Sequence, residues 1–241
     1  MKKYNMICYD CVDSTNLEAK RNFQMEDRTV FTAVTQTGGR GRLGRKWVSD
    51  ENGLWMSVLL KPDISPAQCS LVTLVAGLAV CSVVENSGIK WPNDIVTGSK
   101  KVCGILTEMS SSAGKLDFIV CGIGINLNNE KFPEELSEIA TSVYLEKGVK
   151  TDREKFLEML LSRFEFYYSR FIENGFSCLV DEYRKKCITL GKNVTVSRAG
   201  EAYPAKAVDI NENGELIVET ENGTETVMSG EVSVRGIFGY V

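Results

Sequence analysis

The sequence contains no histidine among its 241 residues. Without an imidazole there is no Ser-His-Asp or Cys-His nucleophile system, no histidine general base near neutral pH and no metal site held by histidine. Any catalysis by this chain must therefore depend on charge, on the positioning of substrates, or on carboxylate, lysine and tyrosine chemistry.

The chain also lacks a basic excess and a long hydrophobic run. Its 28 Lys and Arg residues stand against 32 Asp and Glu residues, a formal net charge of −4, which argues against nucleic acid as a partner. The longest apolar run, residues 71–84, is interrupted by polar residues and is too short to span a bilayer. No apolar segment of signal-peptide length follows Met1. We therefore expect a cytoplasmic protein that binds neither DNA nor membranes.

Eight cysteines are scattered through the sequence, several of them inside apolar segments. This distribution is typical of reduced cysteines in the cytosol, which behave as small hydrophobic residues. Cys8 and Cys11 form the only close pair, and a zinc site would need two more sulfur ligands at a comparable spacing. We interpret the cysteines as buried structural thiols rather than as a metal or redox site.

The first part of the chain has the pattern of an α+β domain. β-branched or alternating segments predict strands at residues 6–9, 29–35, 54–60, 89–91, 95–97, 101–109 and 116–127. Helices are predicted to begin near Thr15 and Thr151, each with a glutamate at capping-box spacing, and to cover residues 71–84 and 177–187. Because the turns between the later strands are short, we expect a mostly antiparallel or mixed sheet.

The last part of the chain has a different residue pattern. Short β-type segments alternate with Asn213-Gly214 and Asn222-Gly223, two hairpin signals at the spacing of a small barrel. From residue 188 onward there are four basic and eight acidic residues, so the acidity of the chain lies here. We predict a domain boundary near residue 188 and a small β-barrel after it.

A cluster of cations and glycines occupies residues 36–47, which have no hydrophobic period. Its charged and small residues are Gly38, Gly39, Arg40, Gly41, Arg42, Gly44, Arg45 and Lys46. Glycine lets backbone N–H groups approach an anion, and arginine supplies planar, permanently charged donors for carboxylate or phosphate. The segment therefore predicts a loop that holds a small polyanion. A solvated basic loop or a nucleic-acid contact is the alternative that this loop alone leaves open.

Three further segments carry candidate chemistry. Residues 90–94 place a cation, an aromatic ring, an amide and a carboxylate around a proline turn, where a nucleotide and Mg²⁺ could bind, although a plain turn would look similar. Lys101 opens an apolar strand, a position where most lysines are surface residues. Residues 122–126 end an apolar strand with two glycines and an asparagine, which either permits close approach of a ligand or marks a bulge.

Together with residues 13–16, these segments resemble in type, order and spacing the motifs of one family, the biotin protein ligases. Residues 39–47 (Gly-Arg-Gly-Arg-Leu-Gly-Arg-Lys-Trp) match that family's biotinyl-adenylate loop, and residues 90–94 (Lys-Trp-Pro-Asn-Asp) match its second signature. Residues 101–106 match its lysine strand and residues 124–126 its asparagine motif, while residues 230–235 look like its closing strand. The resemblance covers the chain from about residue 7 to Arg235.

The resemblance implies an α+β fold, in which an SH2-like mixed-sheet catalytic domain at residues 1–187 precedes an SH3-like β-barrel at residues 188–241. It also implies a two-step reaction. Biotin and MgATP give biotinyl-5′-AMP and pyrophosphate, and a lysine of a biotin carboxyl carrier protein then takes the biotinyl group as an amide. The expected small molecules are thus biotin, ATP and Mg²⁺. Members often form homodimers through the sheet, but the sequence holds no diagnostic feature for one.

The resemblance also assigns roles to individual residues. Lys101 and Arg42 are the expected catalytic cations. The biotin site is expected to contain Ser14, Thr15, Asn16, Gln36, Gly39, Arg40, Gly41, Arg42, Lys101 and Gly104. The nucleotide site is expected to contain Arg42, Arg45, Trp47, Lys90, Asn93, Asn126 and Arg235. Asp94 is the candidate Mg²⁺ ligand and one candidate for the group that deprotonates the acceptor lysine, which the sequence leaves open.

Two features separate this sequence from related activities. Many bacterial members carry an N-terminal helix-turn-helix, whereas the first catalytic strand here begins near residue 6, so we expect a monofunctional ligase. Lipoate–protein ligases of the same superfamily carry an Arg-Arg-x-Ser-Gly-Gly-Gly type of loop followed by a histidine, and this chain has Gly-Arg-Gly-Arg and no histidine. A lipoate or octanoate ligase is the alternative activity, and the acidity of the predicted barrel disfavours a nucleic-acid-binding module.

Overall fold

The computed structural model describes residues 4–198, 201–229 and, for the main chain, 232–236. Its first sheet contains β1 (Asn5–Val12), β2 (Thr29–Gln36), β3 (Leu54–Leu60), β4 (Ser87–Lys90), β5 (Asp94–Thr97), β6 (Lys100–Ser112) and β7 (Lys115–Ile125). The α-helices are α1 (Thr15–Arg21), α2 (Cys69–Cys81), α3 (Glu134–Ser137), α4 (Val143–Lys147), α5 (Arg153–Asn174) and α6 (Val180–Lys186). Among the described residues no helix combines the length and apolar character that a bilayer crossing requires.

The first sheet is mixed, with the strand order β1-β2-β3-β7-β6-β5-β4. β1 and β2 run parallel, because α1 connects them as a crossover, whereas the other neighbouring pairs run antiparallel. Successive side chains of a strand point to opposite faces, so the sheet has two apolar layers. Phe31 and Leu59 pack with α1 on one face, and Val30 and Val58 belong to the larger core with α2 and α5 on the other.

The second sheet contains β8 (Asn193–Arg198), β9 (Glu201–Ile210), β10 (Leu216–Thr220), β11 (Gly223–Val227) and β12 (Val232–Gly236). It is antiparallel, and its order β11-β10-β9-β8-β12 places the last strand beside the first, as in an SH3-like barrel. The predicted hairpins around Asn213-Gly214 and Asn222-Gly223 are present. The expected α+β class, a mixed sheet with helices followed by a small β-unit, is therefore confirmed.

The two sheets share one hydrophobic core. Trp91 is buried at the end of β4, and its Nε1 donates a hydrogen bond of 3.1 Å to the carbonyl of Gly214, in the turn between β9 and β10. Gly214 has a left-handed backbone (φ 73°), and a Cβ there would lie 2.4 Å from Leu74 Cδ1 and 2.6 Å from Leu71 Cδ2, both on α2. This glycine therefore lets the second sheet seat against the first.

Replacing Gly214 with alanine is expected to lower the free energy of unfolding by about 2–4 kcal/mol, because an overpacked contact adds to the cost of a left-handed residue. Gly191→Ala is the matched control, since Gly191 has a similar φ of 77° and a Cβ there would meet no atom within 4 Å. Only the backbone cost of about 1 kcal/mol should appear in this control. Urea denaturation of both variants measures the difference, and equal losses would contradict the packing argument.

Two predicted helix caps are wrong in detail. α1 begins at Thr15 as expected, but its N-cap is Ser14 and no side chain caps it. The Thr15 hydroxyl instead contacts Gln36 and Ser57 inside the fold. α5 begins at Arg153, and its cap is Asp152, whose carboxylate accepts from two backbone N–H groups of the first turn. In both cases the residue beside the predicted cap occupies the capping position.

The cysteine prediction holds only in part. All eight thiols are free, and Cys69, Cys81, Cys103, Cys121 and Cys187 are buried, as expected. Burial raises the pKa of Cys121 to about 12, so this thiol is unreactive at neutral pH. Cys8 and Cys11 are exposed, however, because β1 is an edge strand with little packed over it, and Cys178 is exposed as well. No group of three metal-ligating side chains occurs among the described residues.

Candidate active site

An open pocket lies where β3, β6 and β7 meet the start of α1 and the cationic loop, residues 36–47. The residues that line it are Ser14, Thr15, Asn16, Gln36, Arg40, Gly41, Arg42, Trp47, Trp55, Met56, Asn93, Lys101, Gly104, Ile105, Leu106, Gly122, Ile123 and Gly124. The four segments singled out in the sequence thus converge on one cavity.

The cationic loop is a small closed hairpin rather than an extended coil. The amide of Trp47 donates to the carbonyl of Gly39 at 2.9 Å, and Arg40 pairs with Lys46 in an antiparallel bridge. A 3-10 turn at Arg42–Gly44 forms its tip. A Cβ on Gly39 would lie 2.3 Å from the Trp47 carbonyl, so only glycine permits this closure. The hairpin brings Arg40, Arg42 and Trp47 over the sheet.

Two cross-strand glycines form the apolar wall of the pocket. Gly104 on β6 and Gly124 on β7 are Cα partners, and the Trp47 ring lies directly against them. A Cβ on Gly104 would lie 2.8 Å from the ring and a Cβ on Gly124 2.7 Å from its Nε1. Lys101 Nζ lies 4.9 Å from the ring centroid, within cation–π range. Trp47 Nε1 is buried and has no hydrogen-bond partner among the described residues.

A chain of hydrogen bonds forms the polar floor. Gln36 Oε1 accepts from the amide of Thr15 at 2.8 Å. Ser57 Oγ lies 2.8 Å from Thr15 Oγ1 and 2.6 Å from Asn16 Oδ1. Ser14, Thr15, Asn16 and Ser57 are all buried. Buried and mutually bonded polar groups are held in fixed directions, so this floor is preorganised for a polar ligand group.

The cations of the site have defined partners. Arg42 donates from Nη1 to Asn93 Oδ1 at 2.8 Å and from Nη2 to the Ser229 carbonyl at 2.6 Å, so the second sheet takes part in holding this guanidinium. Burial lowers the pKa of Arg42 from its ordinary value without removing its charge. Lys101 Nζ forms an ion pair of 2.5 Å with Asp94 Oδ1. The pocket thus places two cations beside an apolar wall and a polar floor.

Known families match both parts of the chain. The model of the biotin/lipoate A/B protein ligase family matches residues 8–126, and that of the biotin protein ligase C-terminal domain matches residues 189–235. The biotin–[acetyl-CoA-carboxylase] ligase of Paracoccus denitrificans is 31% identical over 237 residues, covering 93% of the chain and 98% of that protein. The chain belongs to the biotin protein ligase family.

Further relatives agree with this membership. A bifunctional ligase/repressor BirA from Bacillus spizizenii is 35% identical over 240 residues, covering 95% of the chain and 74% of that protein. The structure of a biotin protein ligase from Aquifex aeolicus in complex with biotin and ATP superposes with a TM-score of 0.86 at 36% identity, covering 96% of this chain and 99% of that one.

Most of the residues expected from the biotin ligase motifs line the pocket. Of the expected biotin-site residues, all but Gly39 are in the lining, and Gly39 closes the loop behind it. Of the expected nucleotide-site residues, Arg42, Trp47 and Asn93 line the pocket. Arg45 is exposed on the loop, and Lys90 is buried in β4. Asn126 is buried and donates to the Thr141 carbonyl at 3.0 Å.

One expected residue, Arg235, has its side chain outside the described residues. Arg235 belongs to β12, whose main chain pairs with β8. Its contact with a nucleotide stays a prediction, as do the contacts of the other expected nucleotide-site residues.

Sequence reasoning missed the apolar lining of the biotin ligase pocket and part of its floor. Trp55, Met56, Ile105 and Leu106 line the pocket from ordinary strand positions, which carry no motif. Ser57, at the centre of the floor, sits in a strand whose seven residues are all buried. A buried serine inside an otherwise apolar strand was the signal available, because buried hydroxyls need partners.

Proposed function

We propose that the pocket activates biotin with ATP to biotinyl-5′-AMP, and that the chain then transfers the biotinyl group to a lysine of a carboxyl carrier protein. One observation carries this proposal: the loop, the lysine strand and the glycine strand of the biotin ligase motifs line one cavity with two cations and a preformed polar floor. Membership of the family supports biotin rather than lipoate, since the relatives named above are biotin ligases or a bifunctional ligase.

In the first step a biotin carboxylate oxygen bonds to the α-phosphorus of ATP, and the bond from that phosphorus to the pyrophosphate oxygen breaks. Both reactants are anions, so their approach is opposed by charge. Lys101 and Arg42 both line the pocket and are linked through Asp94 and Asn93. We assign them the neutralisation of the charge that develops on the phosphorus. Holding both reactants in one cavity supplies the proximity.

We assign the polar floor to the head group of biotin. Ser14, Thr15, Asn16 and Gln36 present hydroxyl and amide groups that can bond a cyclic urea, and the wall of Gly104, Gly124 and Trp47 can pack against an apolar chain. Gly39, Arg40 and Gly41 close the loop over this end. We place the nucleotide toward Arg42, Asn93 and Trp47, which line the pocket.

Replacing Gly122 with alanine is expected to raise the KM for biotin by about tenfold or more, because a misplaced polar contact typically costs this much. The new Cβ would lie 2.0 Å from Asn16 Oδ1, so the Asn16 side chain must leave its position in the floor. Gly77→Ala on α2 is the control, because its Cβ would have only an ordinary contact of 3.5 Å with Ile89. Steady-state kinetics with biotin varied measures the effect, and an unchanged KM would remove Asn16 from the biotin site.

Mg²⁺ fits this site as an ion that binds together with the phosphates of ATP rather than as one that the protein holds by itself. Mg²⁺ is commonly held by one or two carboxylates together with substrate phosphates. Asp94 supplies one carboxylate in the pocket region, and no cluster of three metal-ligating side chains occurs among the described residues. We propose Asp94 as its protein ligand; when bound, the ion would stabilise the charge of the departing pyrophosphate.

In the second step the amine of the acceptor lysine attacks the acyl carbon of biotinyl-5′-AMP, the bond from that carbon to the phosphate oxygen breaks, and a proton leaves the amine. We propose the biotin carboxyl carrier domain of a biotin-dependent carboxylase as the acceptor. Asp94 stays one candidate for accepting the proton.

We propose residues 1–187 as the catalytic domain and residues 188–241 as the barrel domain. A cytoplasmic location agrees with eight free cysteines.

Incubation with biotin, ATP, Mg²⁺ and a biotin carboxyl carrier domain tests the whole reaction by intact-mass spectrometry. The carrier should gain one biotinyl group, and a carrier whose target lysine is replaced by arginine should gain none. Parallel incubations contain lipoate or octanoate in place of biotin. If the carrier gains lipoyl or octanoyl groups in those incubations and no biotinyl group with biotin, the function is that of a lipoate ligase.

A further inference from the structure

Glu108 is a half-buried carboxylate on β6 that does not line the pocket but contacts two other elements that do, α1 and the cationic loop. Its Oε2 accepts from Asn16 Nδ2 at 2.9 Å, and its Oε1 accepts from Lys20 Nζ at 2.6 Å. Arg40 Nη1 lies 3.7 Å from the same Oε1. One carboxylate therefore joins α1, β6 and the cationic loop.

These contacts determine which way the Asn16 amide points. Asn16 Nδ2 donates both to Glu108 and, at 3.2 Å, to the carbonyl of Leu106, and both partners can only accept. The two amide protons are thus directed to β6, and Oδ1 faces Ser57 on β3 and Gly122 on β7, two strands that line the pocket. Since Oδ1 can only accept, Ser57 donates to it. The contact of Asn16 with Glu108 therefore determines the donor and acceptor directions of the hydrogen bonds between Asn16 and Ser57 in the floor.

The same carboxylate lies in a strongly cationic environment. Burial alone would raise the pKa of Glu108, but the hydrogen bonds from Lys20 and Asn16 and the nearby charge of Arg40 hold the pKa below its ordinary value. The side chain of Glu108 is 19% exposed, whereas that of Arg40 is 44% exposed. The carboxylate is therefore the more buried member of the pair, and the loop arginine is the more exposed one.

We propose that Glu108 is a positioning residue for biotin: it orients the Asn16 amide so that its oxygen stays in the polar floor, and it restrains Arg40 so that the loop closes over the biotin end of the pocket. This inference rests on the proposed function. Glu108 acts through Asn16 and Arg40 and has no place at the reacting atoms, which lie toward Lys101 and Arg42. Its loss should therefore weaken biotin binding and leave the chemical step largely intact.

Glu108→Gln tests the proposal, because glutamine keeps the size but offers an N–H where the carboxylate only accepts. We expect the KM for biotin to rise by about tenfold, as for loss of a charge-assisted hydrogen bond. The kcat and the KM for ATP should stay within about twofold. Lys20→Met is the matched control: it removes one cation from Glu108, and Lys20 does not line the pocket, so the KM for biotin should change far less.

A double variant separates positioning from general destabilisation. If Glu108 acts partly through Arg40, both changes remove the same contact. The factor by which the KM for biotin rises in Glu108→Gln/Arg40→Met should then be smaller than the product of the factors for the two single variants. A merely structural role would lower the thermal midpoint and shift the KM values for biotin and ATP together. Such a joint shift would overturn the proposal. So would a KM for biotin in the double variant that rises by the full product of the two single factors.

Glu108→Asp is a second variant that tests the proposal if the glutamine variant does not fold. Aspartate keeps the charge but withdraws the oxygens by about one methylene, a displacement large enough to disturb a positioned group. The KM for biotin should then rise severalfold at an unchanged KM for ATP, and an unaltered biotin KM would overturn the inference. The wild-type chain is assayed alongside: if it shows no biotin-dependent turnover, the proposed function fails; if it turns over normally and the variants match it, only the role of Glu108 fails.

Discussion

Replacing Lys101 with alanine is expected to slow formation of biotinyl-5′-AMP by about a thousandfold, which is the effect of removing one preorganised charge from a transition state. The ammonium group reaches the pocket from the start of β6 and pairs with Asp94. The main chain of Lys101 bonds to Ile139 and Thr141 independently of the side chain, so the strand should keep its place. Biotin binding, which depends mainly on the polar floor, should be much less affected than turnover.

Single-turnover measurement of biotinyl-5′-AMP formation tests this expectation directly. The neighbouring Lys100 is the matched control: its Nζ donates to the Ser137 carbonyl, and it does not line the pocket. Lys100→Ala should leave the rate within about twofold. Near-normal turnover by Lys101→Ala, with biotin still bound, would show that the lysine does not act on the reacting charge.

Replacing Arg42 with methionine is expected to lower the rate of adenylation by about a hundredfold or more and to speed release of biotinyl-5′-AMP. Arg42 is the second cation of the site, and it also links three parts of the fold. Its guanidinium bonds Asn93 beside the β5 strand and Ser229 beyond β11 while its main chain forms the loop tip. Methionine keeps much of the apolar stem, so the change removes charge and hydrogen bonds rather than bulk.

Quenched-flow measurement of adenylation and a filter assay for released biotinyl-5′-AMP separate these two effects. Lys46→Met is the control, because Lys46 is an exposed cation on the same hairpin and is not part of the pocket lining. It should alter neither rate by more than about twofold. Equal effects of the two substitutions would mean that the loop acts through its total charge instead of through Arg42.

The elements of the fold followed from hydrophobic pattern where that pattern was strong. The buried strand Leu54–Leu60 was predicted with its observed bounds, and the helix at residues 71–84 was present but ended at Cys81. Helices α3 and α4 were not predicted because they are only four and five residues long, too short for a period to show. The exposure of Cys8 and Cys11 depends on β1 being an edge strand, which sequence pattern does not reveal.

The pocket was predictable to the extent that its residues lie in motifs. The glycines and cations of residues 39–47 predicted a loop near an anion, and the loop does lie over the pocket. The partners of those residues were not predictable, because Glu108, Ser57 and Ser229 come from distant parts of the sequence and reach the site only through the fold. Thr15 illustrates the same limit: its hydroxyl, predicted to cap a helix, belongs to the floor of the site.

Exchange of labelled pyrophosphate into ATP tests the central claim most directly, because it reports reversal of the first step without an acceptor protein. The account predicts that exchange requires biotin, is not supported by lipoate or octanoate, and falls by about a thousandfold in Lys101→Ala. Exchange that is supported by lipoate or octanoate and not by biotin would contradict it.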